Sequence, residues 1–379
     1  MVYFTFALLS VLSLSLFKGC ILSNRNKLNR IDLGQIVAIF LMTLLTASRD
    51  IHIGVDSINY YYSANSIISN YSSVKSVLLN YYIEPGYGLL EYISMKYIGD
   101  VHFIFFVEGL ILVTGLFSFI HNFEGKISYS LAFLCFFCFY YNISLNISRQ
   151  YIAVGIGFWA VKYLQAQKWK PYFILCSVAL LFHSTAIFLF FTYFIWIFLN
   201  KDDSNVEYKK KMPYLLIMMI LLLFFFVPIS SFLINIGLLP AKYAEYLKNS
   251  EASSSLIMVI IANAPLLLLI TCLSNKLISY DKRNKIVITM YLLGFCISLI
   301  NCFWGNVGRM AVYWASWQII LYPECCELLT SNENKRSDLI VKTLFVILMM
   351  LYWWYCFVYR GFGGTYPYES SLFNWLNWE

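Results

Sequence analysis

Charged side chains are scarce in this chain. They make up 12% of its 379 residues, while 60% are hydrophobic; an ordinary soluble domain carries about 25% charged residues. So little charge cannot cover a soluble surface, and no stretch reads as a separate soluble domain. Metal patterns are thin as well. Cys135 and Cys138 form a CxxC, but no second pair and no histidine lies near it. Most of the ten cysteines sit inside apolar runs, where a thiol behaves as a small hydrophobe. There is no DxD-type site and no Gly-rich phosphate loop. The net charge of +7 does not indicate nucleic acid, because Lys and Arg fall in short segments between apolar runs, where topology accounts for them. The first apolar run has no basic residues ahead of it; Lys18, Arg25, Lys27 and Arg30 follow it, so no cleaved signal peptide is expected. The N-x-S/T triplets at Asn70, Asn142 and Asn146 match by chance often and carry no weight.

Apolar runs dominate what is present. A run of roughly 17–25 residues is enough to span a bilayer as a helix, and helices satisfy their own backbone in lipid. The expected class is therefore all-α, a polytopic helical membrane protein forming one integral domain over residues 1–379. Spans are expected near 2–22, 31–46, 101–120, 128–145, 148–165, 171–183, 185–199, 213–234, 255–274, 285–303, 309–323 and 339–359, about twelve in all. With the N-terminus outside, 19 of the 27 Lys and Arg fall on inner ends or loops, as the positive-inside rule requires. Both termini are then outside. No internal repeat or inverted pair of halves is visible, which counts against a typical secondary transporter.

The longest largely polar interval runs from Ala47 to Pro85, within an outside loop assigned to 47–100. A long loop in a compact protein is usually functional or disordered, and Tyr60, Tyr61, Tyr62, Tyr81 and Tyr82 speak against disorder. Residues 87–98 read as a short amphipathic helix near the interface. The aromatic tail, 360–379, suits an interfacial lid or anchor.

Four arginines defy the charge bias by lying at or just beyond outer span ends: Arg49, Arg149, Arg309 and Arg360. His183 ends its span on the same side. Headgroup contact or pairing with carboxylates would explain them. So would one shared anion, since guanidinium grips phosphate through two parallel donors. Gly54-Val55-Asp56-Ser57 is either a simple turn or a device that aims Asp56 as a general base or sugar-hydroxyl acceptor. Arg149-Gln150 divides two spans with almost no loop, so it is buried in protein or snorkels to the interface. His183 is either structural or a proton acceptor or phosphate donor. Gly308-Arg309 opens a short span whose N–H groups would favour an anion, or forms a plain turn at the headgroups. Glu108 lies mid-span, where it either pairs with a cation in the bundle or takes part in proton transfer, and pairing is the expectation.

The segments ASRDIHIGVDSINYYY, IEPGYGLLEYI, SRQYIAVGIGFWAVKYL, LLFHSTAIFLF and GRMAVYW, in this order, resemble the EpsG-type branch of the Wzy-like bacterial polysaccharide polymerases. The likeness covers most of the chain and is strongest from Ala47 to Phe190; the branch often has GTD where this chain has Gly54-Val55-Asp56. The resemblance implies a GT-C-like inner-membrane glycosyltransferase that joins undecaprenyl-pyrophosphate-linked repeat units into O-antigen, capsule or exopolysaccharide on the periplasmic side. The partners it implies are the lipid-linked donor and acceptor, the bilayer, and a chain-length regulator and flippase of the same pathway. It implies no cofactor and no metal. Under it, Asp56, Arg149, His183 and Arg309 become catalytic candidates, and Arg49, Tyr60, Glu84, Gln150 and Arg360 substrate-binding ones. A lipid-linked oligosaccharide flippase or other transporter, an O-antigen ligase, an acyltransferase and a structural assembly partner stand as alternatives.

Overall fold

A computed structural model describes residues 1–20, 32–200, 205–236, 256–302, 308–330, 335–370 and 372. Regular structure among the described residues is helical. The helices are α1 (Val2–Leu16), α2 (Leu33–Ala47), α3 (Ser57–Asn70), α4 (Val74–Asn80), α5 (Pro85–Ile93), α6 (His102–His121), α7 (Tyr129–Phe136), α8 (Asn142–Asn146), α9 (Ser148–Gln165) and α10 (Trp169–Leu180). After them come α11 (Ile187–Asn200), α12 (Asn205–Phe224), α13 (Phe226–Asn235), α14 (Leu256–Tyr280), α15 (Asn284–Ile300), α16 (Gly308–Ala315), α17 (Gln318–Leu329) and α18 (Lys335–Trp353). Wider π-helical turns continue α5 over Ser94–Ile98, join α7 to α8 over Phe137–Tyr141, and extend α18 over Trp354–Tyr359.

Three of these are long and apolar enough to cross a membrane: His102–His121, Leu256–Tyr280 and Lys335–Tyr359. Shorter apolar helices include Val2–Leu16, Leu33–Ala47, Trp169–Leu180, Ser184–Asn200 and Asn284–Ile300. The expected span 148–165 coincides with α9. The expected span 309–323 is broken instead. The chain tightens at Ser316 and Trp317, where the Trp317 N–H turns back to the Trp314 carbonyl at 3.1 Å, and α17 then begins.

The chain divides into two compact units: Met1–Ile187 with Leu329–Glu379, and Phe188–Leu328. In the first, α1 packs on α2, α2 on α6, α6 on α9 and α9 on α10, while α7 packs on α1 and α18 on α7. In the second, α15 packs against α12, α14 and α16. Its interior is pinned by the Trp314 indole N–H, which donates to Thr192 at 2.8 Å, and by the Tyr208–Thr289 hydroxyl pair at 3.3 Å.

The polar interval after α2, expected as a loop, contains two helices. On α3, Tyr60, Ala64 and Ile67 recur at helical spacing and are buried. On α4, Ser73 and Ser76 form a reciprocal capping box, which satisfies two orphaned N–H groups at its start. Ile67, Val77 and Tyr92 then make a small core of their own, with Tyr71 and Tyr81 packed against it. Helical periodicity was present in the sequence but hidden by Ser and Asn on the exposed face.

One end of the first unit gathers many helix termini. The Gly54 and Val55 N–H groups donate to the Gly364 and Gly363 carbonyls at 2.9 and 3.0 Å, and the Asp50 N–H donates to the Glu369 carbonyl at 2.9 Å. Tyr368 donates to the Leu45 carbonyl at 2.7 Å, and Tyr3 donates to that of Thr365 at 2.5 Å. The tail thereby ties the start of α1 to the end of α2. Gly54 holds φ +94°, and a Cβ there would lie 2.7 Å from the Leu145 carbonyl oxygen, so both its backbone and its closeness to α8 require glycine. At the opposite end, Ser13 donates to the Gly34 carbonyl at 3.0 Å and Ser15 meets Ser130 at 3.1 Å.

Candidate functional site

The chain enters α5 through Glu84-Pro85-Gly86. Pro85 occupies the first turn, where its missing N–H costs nothing and its fixed φ suits a helix start. Glu84 is the N-cap residue, yet its side chain does not cap. It reaches away instead, because the Gly86 N–H donates to the Leu181 carbonyl at 2.8 Å and clamps this turn to the end of α10. A Cβ on Gly86 would lie 2.8 Å from the same oxygen, so only glycine permits the clamp.

The clamp brings Glu84 to two partners. Arg149 Nη1 donates to Glu84 Oε2 at 2.9 Å, and the Ser184 N–H donates to Oε1 at 3.3 Å. Burial pushes the Glu84 carboxyl up, but Arg149, His183 and the Ser184 N–H together outweigh it and hold the group below the usual carboxylate range. Glu84 therefore stays ionised and paired.

Arg149 is the second residue of α9, so its guanidinium stands at the helix's first turn. It lies 5.8 Å from the ring centres of both Tyr60 and Tyr87, within reach of their π faces. The Arg149 side chain is 25% exposed and that of Glu84 18%, so the pair is sheltered while one edge stays open. His183 is held by its own turn: the Thr185 N–H donates to its Nδ1 at 3.3 Å, and the Thr185 hydroxyl lies 2.6 Å from the same nitrogen. Gln150 Nε2 donates to the Thr185 hydroxyl at 3.3 Å, tying α9 to the His183 turn.

The structure thus brings together Arg149, Glu84, His183, Gln150 and Tyr60 from sequence-distant segments. It adds Tyr87, Ser184 and Thr185, which sequence reading did not single out. Below Tyr87 on the same helix lies Glu91, fully buried, whose Oε2 accepts from the Tyr81 hydroxyl at 2.7 Å. Tyr81 in turn meets Ser63 of α3 at 2.5 Å. The signal was there in the spacing of Glu84, Tyr87 and Glu91, but in the sequence this is a short amphipathic helix like many others near an interface.

Arg49 has a different setting. It is 0% exposed, and Nη2 donates to Glu108 Oε2 at 3.0 Å and to Ser148 Oγ at 2.8 Å. Its Nη1 donates to the Thr46 carbonyl at 3.3 Å, and the guanidinium stacks 3.8 Å from the Phe105 ring centre. The cation expected for Glu108 is therefore Arg49. Through Ser148, this pair touches the residue preceding Arg149.

Asp56 is half-buried at the N-cap of α3, and its N–H donates to Asn146 Oδ1 at 2.8 Å. Four residues on, Tyr60 lies against Arg149. Arg360 is exposed at the end of the π-helical turn that follows α18. Arg309 is half-buried near the start of α16, in the second unit, where the Gly308 N–H donates to Asn301 Oδ1 at 2.8 Å. Residues 303–307, part of the expected Gly-flanked turn, and 373–379 of the expected tail lie outside the described residues.

The arrangement offers a sheltered guanidinium with an open edge, a carboxylate that balances it, an imidazole beside them and two tyrosine faces. Such a set can hold an anion together with a sugar. A sequence model of the EpsG family matches residues 35–370. No curated protein and no solved structure matches the chain.

Proposed function

The chain belongs to the EpsG family, a family of Wzy-like polysaccharide polymerases, and we propose that it polymerises undecaprenyl-pyrophosphate-linked oligosaccharide repeat units. The observation that carries this reading is the Arg149–Glu84 pair, flanked by His183, Tyr60 and Tyr87, at the end of the first unit where the polar layer α3–α5 lies. The enzyme would be a GT-C-like glycosyltransferase of about twelve spans in a bacterial inner membrane, with its site and both termini facing the periplasm. In support of that side, α9 runs 18 residues, about 27 Å, from Arg149 to the end where exposed Lys168 and Lys170 lie.

The reaction is a displacement at the anomeric carbon of the donor glycan. The acceptor hydroxyl oxygen forms the new C–O bond, and the bond to pyrophosphate breaks. The lipid pyrophosphate leaves with the electron pair, and the hydroxyl proton passes to a base. The leaving group is already stable, so it needs charge stabilisation more than protonation, and a fixed cation supplies that without reorganisation. Arg149 takes this task, by exchanging Glu84 for phosphate oxygens. Arg309 and the exposed Arg360 are candidates for the same role. Arg49, buried against Glu108, would act by holding Ser148 and so the start of α9. Asp56 is the first candidate base, followed by His183 and Glu84. Transfer without a bound metal is part of the proposal, as are O-antigen or capsular glycan as product and a flippase and chain-length regulator as pathway partners.

The test is deletion of the gene, with surface glycans resolved by gel and carrier-linked glycans by mass spectrometry. Loss of the ladder, with single repeat units reaching the outer side, is expected. Units trapped on the cytoplasmic leaflet would refute polymerisation and indicate a flippase.

A further inference from the structure

Tyr87 and Glu91 lie one turn apart on α5, on one face of that helix. Both are fully buried, and Tyr87 packs 5.7 Å from the Tyr60 ring and against Arg149. Glu91 Oε2 is engaged by Tyr81. Its Oε1, the Tyr87 hydroxyl and Arg149 Nε are buried and make no hydrogen bond among the described residues. Buried polar atoms are nearly always hydrogen-bonded. Three orphaned atoms, one of them on the guanidinium itself, thus belong to one group of interacting side chains.

We propose that Glu91 is a positioning residue of this site, which takes up one proton when a pyrophosphate anion binds at Arg149. The inference rests on the phosphate reading given above. An ionised Glu91 and a bound anion compete for the same guanidinium. A proton on Oε1 removes that competition and turns an orphaned acceptor into a donor. Burial pushes this carboxyl up to about 7, against the hydrogen bonds from Tyr81 and Ser63 and the charge of Arg149. An anion beside it raises it further, so free and bound states differ by a proton just above neutrality. The groups that act on it are Tyr81 after α4, Ser63 on α3, Tyr87 on its own helix and Arg149 on α9. Tyr60 on α3 and Glu108 on α6 act in turn on Tyr87, Glu84 before α5 on Arg149, and His183 after α10 on Glu84, while Lys96 on the π-helical turn lies over the Tyr92 ring.

The test uses the full-length protein in lipid nanodiscs and P1,P2-dimethyl pyrophosphate, whose two negative charges do not change between pH 6 and pH 9. Calorimetry should show Kd nearly constant below pH 7 and weakening up to tenfold per pH unit above it, with one proton taken up per anion bound. In Glu91→Gln, the Kd should stay at the low-pH value throughout, with no proton uptake. His183→Asn should keep the pH dependence. A slope that survives in Glu91→Gln, or vanishes in His183→Asn, overturns the proposal. Binding at no pH overturns the phosphate reading and this inference with it. A cooperative unfolding transition of Glu91→Gln at pH 5, at or above the wild-type temperature, shows that the variant is folded.

Discussion

Replacing Glu91 with Gln should stabilise the protein above neutral pH and change little in acid. The folded carboxyl titrates at about 7, because burial raises it more than Tyr81, Ser63 and Arg149 lower it. In an unfolded chain a glutamate titrates near ~4.3. Between those values the folded protein holds a proton that the unfolded chain has lost. Stability therefore falls by about 1.4 kcal/mol for each unit of rising pH, beginning near the unfolded value and ending above the folded one. The accumulated cost at pH 8 is about 3 to 4 kcal/mol. Gln keeps the shape, accepts from the Tyr81 hydroxyl and never ionises, so the variant escapes the cost. The assay is thermal unfolding of both purified proteins in one detergent from pH 4.5 to pH 8.5, followed by tryptophan fluorescence. The curves should coincide at the acid end and separate above pH 5, with Glu91→Gln ahead. A variant that gains nothing over wild type between pH 5 and pH 8 would refute the reasoning.

Three further outcomes are expected. Arg149→Ala should reduce polymerisation by about 10²- to 10³-fold, the usual cost of one preorganised charge-stabilising group, and Arg149→Lys should recover only part of it, because an ammonium lacks the two-pronged donor and the stack on Tyr60 and Tyr87; ladder length at matched protein level measures both, and full activity in both sinks the role. Arg49→Ala should destabilise by about 3–5 kcal/mol, since it leaves Glu108 charged in the interior, whereas Arg49→Met with Glu108→Leu should restore much of the loss; unfolding in detergent distinguishes the two. Gly86→Ala should lower activity more than stability, because a methyl 2.8 Å from the Leu181 carbonyl oxygen forces the turn outward and draws Glu84 off Arg149; turnover beside the unfolding temperature separates the effects.

Some of this was legible in the chain itself. Hydropathy depends on a window of neighbours, so the helical class could be read from the apolar runs along the chain, and the limits of α9 from residues 148–165. A helix was expected over 87–98, and the structure starts it two residues earlier, at Pro85, whose fixed φ suits a first turn. The resemblance that quoted Arg149, His183 and the Glu84 segment agrees with the family match over residues 35–370. The helices α3 and α4 were missed because exposed Ser and Asn masked the spacing of Tyr60, Ala64 and Ile67, and because the core they share is closed only when Ile67 of α3, Val77 of α4 and Tyr92 of α5 come together.

Which cation meets which carboxylate was decided by tertiary structure. Arg49 and Arg149 look alike in the sequence, each at the outer end of a span. One is sealed with Glu108, 59 residues away, beneath Phe105. The other joins Glu84, 65 residues away, with an edge still open. No local pattern carries that difference, because pairing requires two distant segments to arrive within about 3 Å, and arrival is set by how whole helices pack. The sequence by itself determined the helices and a surplus of polar groups at one end. Packing determined that the Gly86–Leu181 clamp holds Glu84 to Arg149, and that Glu91 loses its water and with it the ordinary chemistry of a carboxylate.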